Sequence, residues 1–150
     1  MAQSFCQIYV HAIFSTKNRE PWLNNNIRER VHAYLSTIIR DLGCPYVVVG
    51  GAEDHVHIIM DIGKKHTPVD IIAKSKKESS KFVKELGSKY STFYWQSGYG
   101  MFSVSPGNVL KVENYILNQM EHHKKQTFKD EFKAFLKKYN IKYDEKYLWD

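Results

Sequence analysis

Two pairs of residues in this chain have the types and spacing to do chemistry. His55 and His57 stand two apart in the run DHVHIIMDI, and Tyr115 and Gln119 stand four apart in YILNQ. Side chains alternate along a strand, so positions i and i+2 share a face with backbones ~7 Å apart. Two imidazoles so placed can converge on one metal ion. Val56, Ile58, Met60 and Ile62 then suit the opposite, buried face. On a helix, i and i+4 point the same way, so Tyr115 and Gln119 pair a phenol nucleophile with an amide oxygen able to act as a third ligand. Each pair also has a plain structural reading. The histidines can be partly exposed groups on an uncovered sheet face, and Tyr115, one of 10 tyrosines, can simply pack beside Gln119. Asp61 shares the histidines' face and reads as a solvated surface acid. His11 faces the mixed side of the first strand, from which it can line the site. His122 and His123 lie one turn past Gln119, where interaction with a helix C-terminal dipole is expected in preference to metal binding.

The elements that must position these groups follow from periodicity. Residues 5–16 alternate, with Cys6, Ile8, Val10, Ala12 and Phe14 on one side, as a strand does. Ile27, Val31, Tyr34, Leu35, Ile38 and Leu42 recur at helical spacing and stop at Gly43. A short strand after Pro45 ends in a Gly50-Gly51 turn, and the strand from His55 to Ile62 follows. Thr67-Pro68-Val69-Asp70 carries a helix start signal. That helix runs to about residue 87 and bears Lys74, Lys76, Lys77, Lys81 and Lys84. Residues 90–104 are aromatic and punctuated by glycine; Tyr94, Trp95, Tyr99 and Phe102 can pack or stack on bases, and the segment ends as a strand. Ser105-Pro106 opens a helix buried through Val109, Val112, Ile116 and Met120. Thr127 caps a last one with Phe128, Phe132, Phe135 and Tyr139 on one side. This order predicts an α+β, ferredoxin-like βαββαβ antiparallel sheet in a single domain over residues 1–150, with additional C-terminal helices carrying the tyrosine. Two helices on one sheet face leave the other face free.

Composition narrows the function classes. At 43% hydrophobic and 25% charged, the chain reads as an ordinary globule. It has no run of ~18 apolar residues to span a bilayer and no signal-peptide pattern, so a cytoplasmic location without membrane partners is expected. Two cysteines, Cys6 and Cys44, are too few for a disulfide framework and read as core thiols. No phosphate-binding glycine loop is present, because Gly50-Gly51 lacks the Gly-Lys-Ser/Thr ending. Eight lysines against three acids give residues 64–89 a charge of +5, most of the total of +6. Such a stripe suits a polyanion, nucleic acid first, or else a solvated helix face.

Together the motifs resemble the single-tyrosine HUH transposases of small bacterial insertion sequences, the IS200-like transposase family. The resemblance rests on DHVHIIM (54–60), the lysine-rich helix, FYWQSGYGMFSVS (93–105), YILNQ (115–119) and the tail TFKDEFKAFLKKYNIKYDEKYL (127–148). It implies that His55, His57 and Gln119 hold one divalent ion, Mg²⁺ or Mn²⁺. It implies also that Tyr115 attacks single-stranded DNA to form a 5′-phosphotyrosine, and that a homodimer recognises DNA hairpins at element ends. The resemblance leaves open whether the tyrosine serves its own subunit or the partner. The competing class is a non-catalytic or domesticated single-strand-binding protein of the same fold. Such modules stack bases on aromatics of the central strands, where this chain has His55, His57 and Asp61.

Overall fold

The computed structural model describes residues 2–150. Strands β1 (Tyr9–Ser15), β2 (Tyr46–Gly51), β3 (His55–Asp61) and β4 (Gly100–Ser103) form one sheet in the order β2-β3-β1-β4. All three pairings are antiparallel. Helix α1 (Arg28–Asp41) joins β1 to β2, and α2 (Pro68–Lys84) joins β3 to β4. This is the expected βαββαβ topology, and it makes β1 and β3 the central strands. The start of α2 is as expected: the Thr67 side chain accepts from the Asp70 N–H at 3.2 Å, with Pro68 in the first turn.

Alternation along the central strands divides the interior in two. Val10, Ala12 and Phe14 of β1, with Val56, Ile58 and Met60 of β3, bury against Val31, Leu35 and Ile39 of α1 and Ile71, Ile72 and Val83 of α2. The other sheet face is not free, as the sequence suggested. Helices α3 (Val109–Leu117), α4 (Gln119–Lys125) and α5 (Phe128–Lys138) fold back over it. Ile13 and Phe102 pack there with Phe128, Phe132 and Leu136. Leaving those large apolar groups in water would cost ~1.5–3 kcal/mol each, so the C-terminal helices complete a second core.

Two local features seat these helices. Gly50 and Gly51 belong to β2, and the turn follows at residues 52–54. A side chain at Gly50 would collide with the Ile116 carbonyl, so the glycine lets α3 lie directly on the strand and sets the height of Tyr115. At the far end the C-terminal residues strap α5 down. Arg19 donates to the Trp149 carbonyl at 2.9 Å, the Gly98 N–H donates to the Asp150 carbonyl at 2.8 Å, and the Trp149 ring lies against Phe132.

Two residues differ from expectation. Cys44 is buried, but Cys6 is exposed, because residues 2–8 precede the ordered ladder of β1. Asp61 is buried, not solvated; its carboxylate accepts from the Ile8 and Gly63 N–H groups at 3.2 and 3.0 Å and so satisfies backbone donors at the strand end. Among the described residues, no helix is long and apolar enough to cross a membrane.

His32 on α1 carries a stability prediction. Its Nε2 is buried without a partner, and burial, with Arg28 nearby, lowers its pKa to about 4. Above pH ~6.5 the ring is neutral in both folded and unfolded chains. As pH falls from ~6.5 to about 4, the unfolded chain takes up a proton that the folded one refuses, a loss of up to ~3 kcal/mol. His32→Leu is expected to remove that loss and shift acid unfolding to lower pH, read by circular dichroism. An unchanged acid midpoint would contradict it.

Candidate active site

The site is built on the sheet face that the C-terminal helices cover. From β3 come His55 and His57, only 1% and 0% exposed. From the neighbouring strand β1 comes His11, whose Nε2 lies 2.7 Å from His57 Nδ1. The turn before β3 supplies Asp54, 2.7 Å from His55 Nδ1. Helix α3 supplies Tyr115, and α4 opens with Gln119, whose Oε1 is 3.0 Å from His55 Nε2. The helix expected to run through YILNQ breaks at Asn118, yet Gln119 still points with Tyr115 toward β3.

The cluster closes on a residue the sequence reading did not single out. Glu131 of α5 is buried, with Oε1 2.8 Å from His57 Nε2 and 3.7 Å from His55 Nε2. Its other oxygen accepts from the Tyr115 hydroxyl. Thr127 caps the helix that presents it, accepting from the Asp130 N–H at 3.2 Å. One signal was available: Glu131 is a charge set among the aromatics Phe128, Phe132 and Phe135 on a face meant for burial.

Burial and charge oppose each other here. Burial lowers the His57 pKa and would lower that of His55, but Asp54, with the Gln119 hydrogen bond and the Glu131 charge, outweighs it and raises His55. Burial would raise Glu131, yet the hydrogen bonds from His57 and Tyr115 hold it down at about 2. Glu131 is therefore an anion at neutral pH. Burial and that anion together raise the Tyr115 pKa, so its phenol is held protonated against the carboxylate.

The donor set fits a divalent cation. With Nδ1–H given to Asp54, neutral His55 turns an Nε2 lone pair toward the Gln119 oxygen, an acceptor facing an acceptor. A proton or a cation must reconcile them. His55, His57 and Glu131 each bring a ligand atom within 4.8 Å of the others, with Gln119 beside them. Two imidazoles and two oxygens suit Mn²⁺, and the oxygens suit Mg²⁺. Asp54 and His11 engage the outer nitrogens, as partners behind metal-bound histidines do. Glu131→Gln removes a charged ligand and is expected to weaken Mn²⁺ binding ~100-fold or more, beyond the range of an outer-shell loss, measured by calorimetry; an unchanged affinity would place Glu131 outside the ion's shell.

The lysines and most aromatics of residues 90–104 lie apart. The lysine helix α2 packs on the opposite sheet face. Lys74, Lys77 and Lys81 are exposed on it, and Lys84 lies over the Tyr94 ring at 4.1 Å. Lys76 is tied down, donating to the carbonyls of Gln96, Ser97 and Gly98 at 2.8, 3.2 and 2.7 Å, and burial lowers its pKa to about 8. Of the segment's aromatics, Trp95 and Phe102 are core, Tyr99 is half-buried, and Tyr94 is exposed. His122 stacks on Tyr115 at 4.5 Å, and His123 lies 3.6 Å from Glu53 and 3.8 Å from Asp54, where with Asp54 and His55 it forms a second group of possible ion ligands.

Comparison with known proteins agrees with this architecture. A family model described as "Transposase IS200 like" matches residues 4–119, from before β1 to Gln119. No curated protein matches. Among solved structures, the fold resembles a candidate transposase from Deinococcus radiodurans R1, with a TM-score of 0.61 at 20% identity over 79% of this chain and 98% of that one. It also resembles a REP-associated tyrosine transposase bound to a REP hairpin, with a TM-score of 0.50 at 12% identity over 77% of this chain and 67% of that one. With the family model spanning most of its length, the chain belongs to the IS200-like transposase family.

Proposed function

We propose that this protein is a DNA transposase that cuts and rejoins single-stranded DNA through a 5′-phosphotyrosine on Tyr115. The observation that carries the reading is the meeting, through Glu131, of the Tyr115 hydroxyl with His55, His57 and Gln119 within one chain. In the cutting step Tyr115 Oη bonds to the scissile phosphorus and its proton passes to the Glu131 carboxylate. The bond from phosphorus to the 3′ oxygen breaks, and that oxygen leaves as a hydroxyl after taking a proton from solvent, to which Glu131 returns the one it accepted. Rejoining reverses the step and needs no nucleotide cofactor. His55, His57, Gln119 and Glu131 would hold the divalent ion, Mg²⁺ or Mn²⁺, which when bound supplies Lewis acidity toward the phosphate. Asp54 fixes the tautomer of His55, and His11 orients His57.

Because Tyr115 meets the histidines of its own chain, each subunit of a homodimer would hold a complete site. The fold relative solved with a REP hairpin supports the DNA partner of this reading: this chain would bind hairpins at element ends. Lys74, Lys77, Lys81 and Lys84 would hold backbone phosphates without reading sequence, with Lys76 bracing the loop beside them. The test is a denaturing gel of the protein with Mn²⁺ and labelled single strands from the DNA flanking the gene. A shifted, protease-sensitive band is expected. Tight binding of the same strands with no such band would overturn the enzymatic reading in favour of a binding protein.

A further inference from the structure

The histidines and Gln119 are almost wholly buried, so a DNA strand cannot reach them across the sheet. A cavity of about 360 Å³ reaches the edge of the site, with Tyr115, Glu131 and His11 among its lining residues. It lies between the end of β4, the start of α3 and the outer turns of α5, and its size falls within the ~300–1,000 Å³ of small-molecule sites. Part of its wall is aromatic: Phe135, edge-on to Tyr115, and Tyr139, both braced by stacking on Phe102. At the rim the Asn108 amide donates to Ser105 Oγ at 3.0 Å. Among the described residues nothing else engages that amide, which leaves its oxygen and second N–H for a guest. Lys111 and Lys138 stand in the same wall and bring two positive charges.

We propose that this cavity binds one unpaired nucleotide flanking the scissile phosphate, with its base against Phe135 and Tyr139, its edge read by Asn108, and its phosphates held by Lys111 and Lys138. The proposal rests on the transposase reading above, which places the reacting phosphate at Tyr115. An asparagine amide that offers one acceptor and one donor matches the N6–H and N7 of adenine, the one base with an adjacent donor and acceptor on its major-groove edge, so adenine presenting that edge is the base preferred. Aromatic side chains stack on any base, and the lysines are equally indifferent. Discrimination therefore falls to Asn108.

The test uses the full chain carrying Tyr115→Phe, which cannot form the adduct, and follows backbone amide shifts by NMR. The probes are dAMP, dGMP, dCMP, TMP and deoxyribose 5-phosphate. Shifts at Ser105, Asn108 and Lys111 are expected, with dAMP bound at least fivefold more tightly than the other probes. Adding Asn108→Ala, at an exposed position, should erase that preference and leave the affinity for deoxyribose 5-phosphate unchanged. If dAMP leaves these amides unmoved, or the preference survives Asn108→Ala, the proposal fails. The adduct gel separates the two levels. A Tyr115 adduct without nucleotide binding here overturns the cavity assignment and keeps the transposase. Nucleotide binding without an adduct on any strand overturns the transposase reading, and with it the placement beside a scissile phosphate.

Discussion

Tyr115→Phe is expected to eliminate the covalent protein–DNA band, by ~10⁴-fold or more, as loss of a nucleophile does. The substitution is structurally mild. The ring keeps its stacking on His122 and its edge contacts with His57 and Phe135. Only the hydrogen bond to Glu131 is lost, and Glu131 retains His57, so stability should fall by no more than the ~1.5–3 kcal/mol of a hydrogen bond to a charged group. Mn²⁺ affinity and hairpin binding should stay at wild-type levels, because the hydroxyl is not among the ion's proposed ligands. An adduct that persists in Tyr115→Phe would mean that another tyrosine is the nucleophile.

His57→Ala should also abolish cleavage, by a different route. His57 is fully buried, and its two nitrogens meet His11 and Glu131. Truncation removes one ligand and leaves the Glu131 carboxylate and the His11 ring without their partner. Mn²⁺ affinity should fall ~100-fold or more, beyond the ~10–100-fold typical of an outer-shell loss. Stability should fall by ~3 kcal/mol, the scale for leaving a buried charge without its partner. Misfolding could mimic the loss of activity, so the variant is compared by urea unfolding and calorimetry with His57→Gln, which fills the space and returns a polar group. A folded His57→Gln that binds Mn²⁺ as tightly as wild type would remove His57 from the centre.

Much of this arrangement was legible before the structure. The alternation through DHVHIIMDI placed both histidines on one strand face, because extended backbone leaves side chains no other choice. The order of periodic segments led to the antiparallel sheet, and Thr67 and Thr127 marked helix starts that the structure shows capped. The Tyr115–Gln119 pairing survived the break at Asn118 because both residues still face β3. Glu131 escaped notice because a lone glutamate on an amphipathic helix is usually solvated. Its burial depends on α5 lying across the histidines, which no local pattern encodes. Lys76 shows the converse: in the sequence it is one basic residue among eight in its segment, but three carbonyls claim its ammonium in the fold.

By itself the sequence determined which residues share a strand face or a helix flank, since those relations follow from periods of two and 3.6 residues. It also carried the motif order by which the family is recognised. Only the tertiary structure decided what lies against the histidines. Helices α3–α5 cover the sheet face expected to be open, Gly50 admits the tyrosine helix, and Glu131, 74 residues from His57 along the chain, joins the Tyr115 hydroxyl to His57. The physical reason is that these contacts arise from burying the apolar groups of that face, Ile13, Phe102, Phe128 and Phe132. Burial is a property of the whole surface removed from water, and it has no period to read in the chain.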